Sequence, residues 1–187
     1  MKKNYEYKNV QVKLIIDEEP MVNDYTFERL NGFVERKCDK IIIPQLIGLE
    51  VSLSKGGRIC YGLLACRLIP NDKQDIVGFE ISYTAQNTIK YTDSILYNDN
   101  YVYKGLPKEY LKHVEAGIME GIKEAKFFPN CNLHFDYAAN CEVGSSPLFF
   151  EMISEMLIEL IGLDLNLNIC ELNATELLDS FSRRLKF

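Results

Sequence analysis

Histidine is scarce in this chain of 187 residues: there are two, His113 and His134. Acid–base chemistry near neutral pH therefore has few candidates. The six cysteines stand at 38, 60, 66, 131, 141 and 170, and no two have the C-x-x-C spacing of a zinc or redox site. Eleven glycines and six prolines are too few for a low-complexity or collagen-like chain. No apolar run spans a bilayer, because the longest, Leu148 to Leu163, is broken by Glu151, Glu155 and Glu159. The opening Met1-Lys2-Lys3-Asn4-Tyr5-Glu6 lacks the apolar core of a secretory signal, so a cytoplasmic protein with no membrane partner is expected. The phosphate-cradling loops G-x-x-x-x-G-K-[ST] and G-x-G-x-x-G are missing, as are G-x-S-x-G and H-E-x-x-H. The expectation is a chain with no nucleotide site, no cofactor, no metal and no catalytic centre.

What is present suits one globular domain over residues 1–187. Apolar residues make up 47% and charged residues 26%, enough for a proper core. The net charge of −6 argues against a general nucleic-acid binder. The acidity is local. From Glu142 to Ser182 there are eight acids and no Lys or Arg, which leaves 21 basic against 19 acidic residues elsewhere. A second face is thus free to be neutral or basic.

Val10, Val12, Leu14 and Ile16 alternate with other residues as a strand does, and Asp17-Glu18-Glu19-Pro20 ends it. Residues 21–40 have no clear period. Ile41 to Leu53 is β-rich but holds Pro44 and Gly48, which predicts a broken or edge strand. Lys55-Gly56-Gly57-Arg58 reads as a hairpin turn before the apolar run Ile59 to Ile69. Ile76 to Tyr83 reads as another strand. Residues 84–104, rich in Asn, Thr, Asp and Tyr, read as a long loop or an extra hairpin around Asn98-Asp99-Asn100.

The period then changes. Leu111, Val114, Ile118, Ile122 and Ala125 recur at helical spacing after Pro107, with Gly117 and Gly121 on the inner side where a close neighbour is expected. Leu133, Phe135 and Tyr137 alternate with His134 and Asp136, so a strand returns with His134 facing away. Ser145 or Ser146 caps a second helix opened by Pro147, striped by Phe149, Met152, Ile153, Met156, Leu157, Leu160 and Ile161 and stopped by Gly162. Leu163 to Ile169 alternates cleanly, and Ala174 to Leu185 reads as a last helix ending in a basic tail. Strands followed by two helices on one face of a mostly antiparallel sheet make an α+β two-layer sandwich. Cys60, Cys66 and Cys170 lie in apolar runs and read as buried thiols. His113 is expected to face solvent.

Three segments carry a resemblance. The first is Lys55-Gly56-Gly57-Arg58-Ile59-Cys60-Tyr61-Gly62 with Leu68-Ile69-Pro70. The second is Leu106-Pro107-Lys108-Glu109-Tyr110 with Val114, Gly117 and Ile118. The third is Leu133 to Phe149, passing through Val143-Gly144-Ser145-Ser146. In this order they resemble domain IV of translation elongation factor G and its ribosomal-protection relatives: the G-G-R-x-x-Y-G hairpin, the I-P-K-E-Y helix start, and the tip loop leading to V-D-S-S. The similarity covers residues 50–161. Residues 1–40 align with nothing and stand as an N-terminal extension, and residues 163–187 hold an exit strand and the C-terminal helix. The resemblance implies a fold like the second domain of ribosomal protein S five, with a left-handed βαβ crossover. It implies a non-catalytic domain that contacts ribosomal RNA or a translation component through tip loops. The residues so implicated are Lys55, Gly56, Gly57, Arg58 and Tyr61 on one loop and Asn140 and Cys141 on the other.

This chain departs from the family pattern. It has no GTPase segment; Ile59-Cys60 replaces Gly-Gln after the G-G-R; Cys141 stands at a His position; and Gly144 replaces a capping Asp. Gly56-Gly57 also suits a plain hairpin turn. Two rival readings follow from the residues. One is a protein-interaction module that kept the fold and lost the ribosome, pairing through Ile41 to Leu53 or Leu163 to Ile169 as a homodimer. The other is a small enzyme built on a Cys141–His134 dyad.

Overall fold

Alternating apolar residues build most of the sheet, and two apolar helix stripes close one side of it. The computed structural model describes residues 1–7, 9–19, 28–38, 45–71, 75–85, 89–96, 101–125 and 128–162. In chain order the elements are β1 (Lys2–Tyr7), β2 (Val10–Ile16), β3 (Glu28–Glu35), β4 (Gln45–Lys55), β5 (Arg58–Pro70), β6 (Ile76–Tyr83), β7 (Val102–Lys104), α1 (Leu111–Glu124), β8 (Cys131–Cys141) and α2 (Pro147–Gly162). The strands run β1-β2-β4-β5-β8-β6-β3 across one sheet, and β7 pairs with the end of β8. All pairings are antiparallel except β6 with β8. The connection between those two parallel strands contains α1, as a parallel pair requires. The architecture is therefore α+β, a mostly antiparallel sheet with two helices on one face.

Under the helices lies the main core. β2 contributes Val10, Val12, Leu14 and Ile16; β4 contributes Ile47, Leu49, Val51 and Leu53. Leu64, Cys66 and Leu68 of β5 and Val77, Phe79 and Ile81 of β6 continue it. Val114, Ile118 and Ile122 of α1 and Phe150, Ile153, Leu157 and Ile161 of α2 close it from above. A smaller cluster covers part of the opposite face: Ile15, Leu46, Tyr61, Leu63, Ala65, Tyr91, Val102, Tyr137 and Ala139. Burial of one Leu, Ile or Val side chain contributes about 1.5–3 kcal/mol, so the helix-side core dominates stability.

The two helices touch through glycine. A Cβ on Gly117 would overlap Ser154 Oγ and the carbonyl oxygen of Glu151, and one on Gly121 would sit 2.8 Å from Ile158 Cβ. The expected close neighbour is thus α2. The C-terminal carbonyls of α1 at Ile122 and Ala125 accept hydrogen bonds from the Arg36 guanidinium, which follows β3 and locks that edge strand to the helix.

Several expectations change. From Gln45 onward β4 is neither broken nor at an edge, since Ile47 to Leu53 pairs with β2 on one side and Gln45 to Lys55 with β5 on the other, while Ile41 to Pro44 lies outside the described residues. Gly48 is tolerated because Ala65 Cβ lies 2.5 Å from where its own Cβ would be, so the neighbouring strand fills the space. An interior strand cannot pair with a second copy, which removes that version of self-association. Residues without a clear period include β3, the outermost strand on its side of the sheet among the described residues. Residues 1–38, which align with nothing in the resemblance, supply β1, β2 and β3 to the same sheet.

Tyr137 does not share a face with Leu133 and Phe135. Ala65 pairs with Tyr137 but Arg67 with His134, so Cys66 on β5 faces two residues, Phe135 and Asp136, on β8. That β-bulge reverses the alternation. Leu133, Phe135 and Ala138 join the main core, while Tyr137 and Ala139 join the opposite cluster. His113 does not simply face solvent: its Nδ1 lies 2.5 Å from Glu151 Oε2 on α2. Of the two readings for residues 84–104, strand pairing is present, with Lys90 bridged to Tyr103 and Tyr91 N–H donating to the Val102 carbonyl. Its tip at Asn98-Asp99-Asn100 lies outside the described residues, as do Cys170, the Leu163 to Ile169 strand and the last helix. Cys66 is buried and burial pushes its thiol pKa up, whereas Cys60 is half-exposed.

Candidate functional site: the loop end of the sheet

Two turns project from one end of the sheet. In the first, Gly56 and Gly57 have φ of +58° and +77°, which links β4 to β5 as a two-residue hairpin. Both central residues of such a turn need positive φ, which glycine adopts at no steric cost. The second turn, residues 142–145, leads from β8 into α2. β5 and β8 are neighbours, so the turns lie together. Tyr61 N–H donates to the Gly144 carbonyl at 3.1 Å, and a Cβ on Gly144 would stand 2.8 Å from the Ile59 carbonyl oxygen. Gly144 is needed at this position because the second turn presses against β5.

The two serines divide their work. Ser146 Oγ accepts from Phe149 N–H at 3.3 Å, with Pro147 between them in the first helical turn, so Ser146 is the cap of α2. Ser145 Oγ instead donates to the Tyr61 carbonyl at 2.7 Å and accepts from Cys141 N–H at 2.7 Å. It staples the second turn to β5. Tyr110 Oη donates to the Ser145 carbonyl at 3.2 Å while its ring packs 5.3 Å from Phe150, so the Pro107–Tyr110 segment braces the same turn. Ser145→Ala is expected to cost about 1–3 kcal/mol, because it strips partners from a carbonyl and an amide. Urea unfolding reads the loss, and faster amide exchange at Cys141 reads its location.

The sequence-implicated residues do not all reach the surface. Gly56, Gly57 and Arg58 are exposed. Lys55 is the last residue of β4, paired with Arg58. Cys141 is half-exposed. Tyr61 is 0% exposed and donates from Oη to Glu50 Oε1 at 2.8 Å, so it cannot meet a phosphate or a base. Asn140 is equally buried, with Nδ2 donating to the Gly105 carbonyl at 2.9 Å. Both are structural, and the alternation of a paired strand is the reason: their side chains point into the molecule. Cys141 and His134 sit seven residues apart along β8, roughly 20 Å at strand rise, so they form no dyad.

Apolar side chains also occupy this end, at positions the resemblance does not name as contacts. Ile59 is 49% exposed, Val143 85%, Leu148 62% and Tyr101 54%. Ile59 and Val143 flank the contact between the turns. Leu148 opens α2, and the Tyr101 carbonyl accepts from Glu142 N–H at 3.0 Å. Charge at this end is mixed, with Arg58 and Glu142 both exposed. The sequence signal for this patch is Ile59-Cys60 in place of Gly-Gln.

A second feature lies on the sheet face away from the helices. Glu50, 0% exposed, accepts from Tyr61 Oη and from Ile95 N–H at 2.8 Å, and its Oε2 lies 3.3 Å from Lys13 Nζ. Lys13 also donates to the Asp93 carbonyl at 2.6 Å and pairs with Asp93 Oδ2 at 3.1 Å, while Lys2 pairs with Asp93 at 2.7 Å. These bonds hold residues 91–96 across that face. Burial pushes the Glu50 carboxyl above its usual range and the Tyr61 and Tyr91 phenols up as well. Glu50 sits between Leu49 and Val51, so alternation alone hands it to the opposite face. That a buried face waits there is a tertiary fact.

Among the described residues, no three His, Cys, Asp or Glu side chains come together as a metal site would need, and no helix is long and apolar enough to cross a membrane. No protein-family model and no curated protein matches the chain.

Proposed function

We propose that this chain is a non-catalytic binding module of the elongation factor G domain IV type, whose loop end meets a translation component. One observation carries the reading: the Lys55–Arg58 and 142–145 turns stand side by side, joined by the Tyr61–Gly144 and Ser145–Tyr61 bonds. Two further points support it. The βαβ unit of β6, α1 and β8 is the kind of crossover that fold is built on. Pro107–Tyr110, the helix start of the resemblance, braces the turn that the third matched segment supplies.

The chemistry of the end favours one second reading, a partner that is protein rather than RNA. Phosphate recognition rests on Arg and Lys, and protein contacts rest on desolvated apolar anchors. Four apolar side chains, Ile59, Val143, Leu148 and Tyr101, are exposed at this end beside Arg58.

Ribosome co-sedimentation separates the two. If RNA is the contact, pelleting falls between about 50 and about 200 mM salt and is lost in Arg58→Ala. If a protein surface is the contact, pelleting resists salt, survives Arg58→Ala and is lost in Val143→Asp/Leu148→Asp. Leu148→Asp stands in the first turn of α2, where negative charge suits the helix dipole, and Val143 is exposed in the turn before it, so the fold is expected to persist. No pelleting of the wild type at low salt ends the translational reading.

A further inference from the structure

We propose that β3 is a homodimerisation edge, on which a second copy of this chain adds its own β3 antiparallel, so that the two sheets become continuous. Among the described residues no strand pairs with the outer side of β3, although its inner side pairs with β6 without interruption from Glu28 to Glu35. The opposite edge, β1, carries Lys2 and Lys3, the usual protection of an open edge. β3, reading ERLNGFVE, has no lysine, no proline and no bulge. Instead it exposes Phe33, 62% accessible, on the face away from the helices.

The register follows from charge. A two-fold axis normal to the sheet keeps both helix layers on one side and lets like faces meet. With Gly32 on that axis, Arg29 stands opposite Glu35 of the second copy, and symmetry makes the pair twice. Leu30 then meets Val34 on the core face and Asn31 meets Phe33 on the other. The two Phe33 residues flank the axis as diagonal neighbours, roughly 7–8 Å apart and within aromatic reach. Slipping two residues puts Arg29 opposite Phe33 in one direction and opposite Lys37 in the other, so only the first register pairs opposite charges. Arg29 and Glu35 are exposed, Arg29 being also 2.9 Å from Glu80 within its own chain. This edge is remote in role from the loop end, so failure here leaves the proposed function standing, and the reverse holds.

Sedimentation velocity of the full chain tests it over a wide concentration range. The wild type is expected to pass from monomer to dimer. Arg29→Glu and Glu35→Arg each oppose like charges twice, and each raises the dimer dissociation constant about tenfold. The double variant Arg29→Glu/Glu35→Arg swaps the charges and restores wild-type dimerisation. Because Arg29→Glu also faces Glu80, circular dichroism checks its fold. Glu35→Arg, and concentration-dependent protection of the β3 amides against exchange, test the edge without that substitution. A wild type that stays monomeric at every concentration overturns the proposal and leaves the edge to some other strand. So do single variants that dimerise as tightly as the wild type, or a double variant that fails to recover.

Discussion

Glu50→Ala is expected to lower the unfolding free energy by about 3–5 kcal/mol, a larger loss than any other substitution proposed for this chain, because it breaks a buried ion pair from one side. Lys13, 5% exposed, keeps Asp93 but loses the carboxylate 3.3 Å away. Ile95 N–H and Tyr61 Oη lose their shared acceptor at the same time. Residues 91–96 come loose with them, so amide exchange at Ile95 rises before global unfolding.

Glu50→Gln separates charge from hydrogen bonding. Burial raises the folded carboxyl above its unfolded value of 4.5. As pH rises, the unfolded chain therefore releases this proton first. The resulting stability is fully present below the unfolded value and is lost as pH climbs through the folded one. Asp93 and Glu18 are pulled down by their lysine partners and act with the opposite sign, but both variants keep them. The difference in unfolding free energy, wild type minus Glu50→Gln, should decline as pH rises from about 4.5. Urea titrations across that range read it, and two parallel stability curves would show that Glu50 is not held in its buried form.

Gly117→Ala is expected to destabilise by about 3 kcal/mol, against the helix propensity trend. In an open helix the same change stabilises by about 1 kcal/mol. Here the added methyl overlaps Ser154 Oγ and the Glu151 carbonyl, and Ser154 is itself fully buried. Backbone cannot swing aside as a flexible side chain can, so the helices must part. Parting them opens the core over β4 and β5, where α2 rests. Chemical denaturation gives the sign directly, and a gain in stability would mean that α1 and α2 are not packed through this glycine.

The sign of that prediction is legible in the chain itself. Two glycines one turn apart on the inner side of an amphipathic helix ask for a close neighbour, and Ser154 with Glu151 is that neighbour. The Gly56-Gly57 turn, the spans of α1 and α2 and the strands Val10 to Ile16 and Ile76 to Tyr83 are equally readable. The candidate site is readable only in part. Arg58 stands at the loop end as the motif suggests, but Tyr61 and Asn140 turn inward, and Val143, Leu148 and Tyr101 are not among the residues the resemblance implicates. A resemblance marks which segment forms a loop; it does not say which side of a paired strand each residue takes.

The sequence alone determined the local pieces of this protein. Turn conformation, helix caps and the alternation of a strand depend on neighbours a few residues away, and those are written in the chain. Only the tertiary structure decided that β8 enters between β5 and β6, that β1 and β3 are the outermost strands among the described residues, and that Glu50 has a covered face to point into. It also decided the face of Tyr137, since the bulge opposite Cys66 exists only once β8 has a partner to be out of step with. Register and burial are properties of pairs of segments, and their energy appears only when distant residues meet.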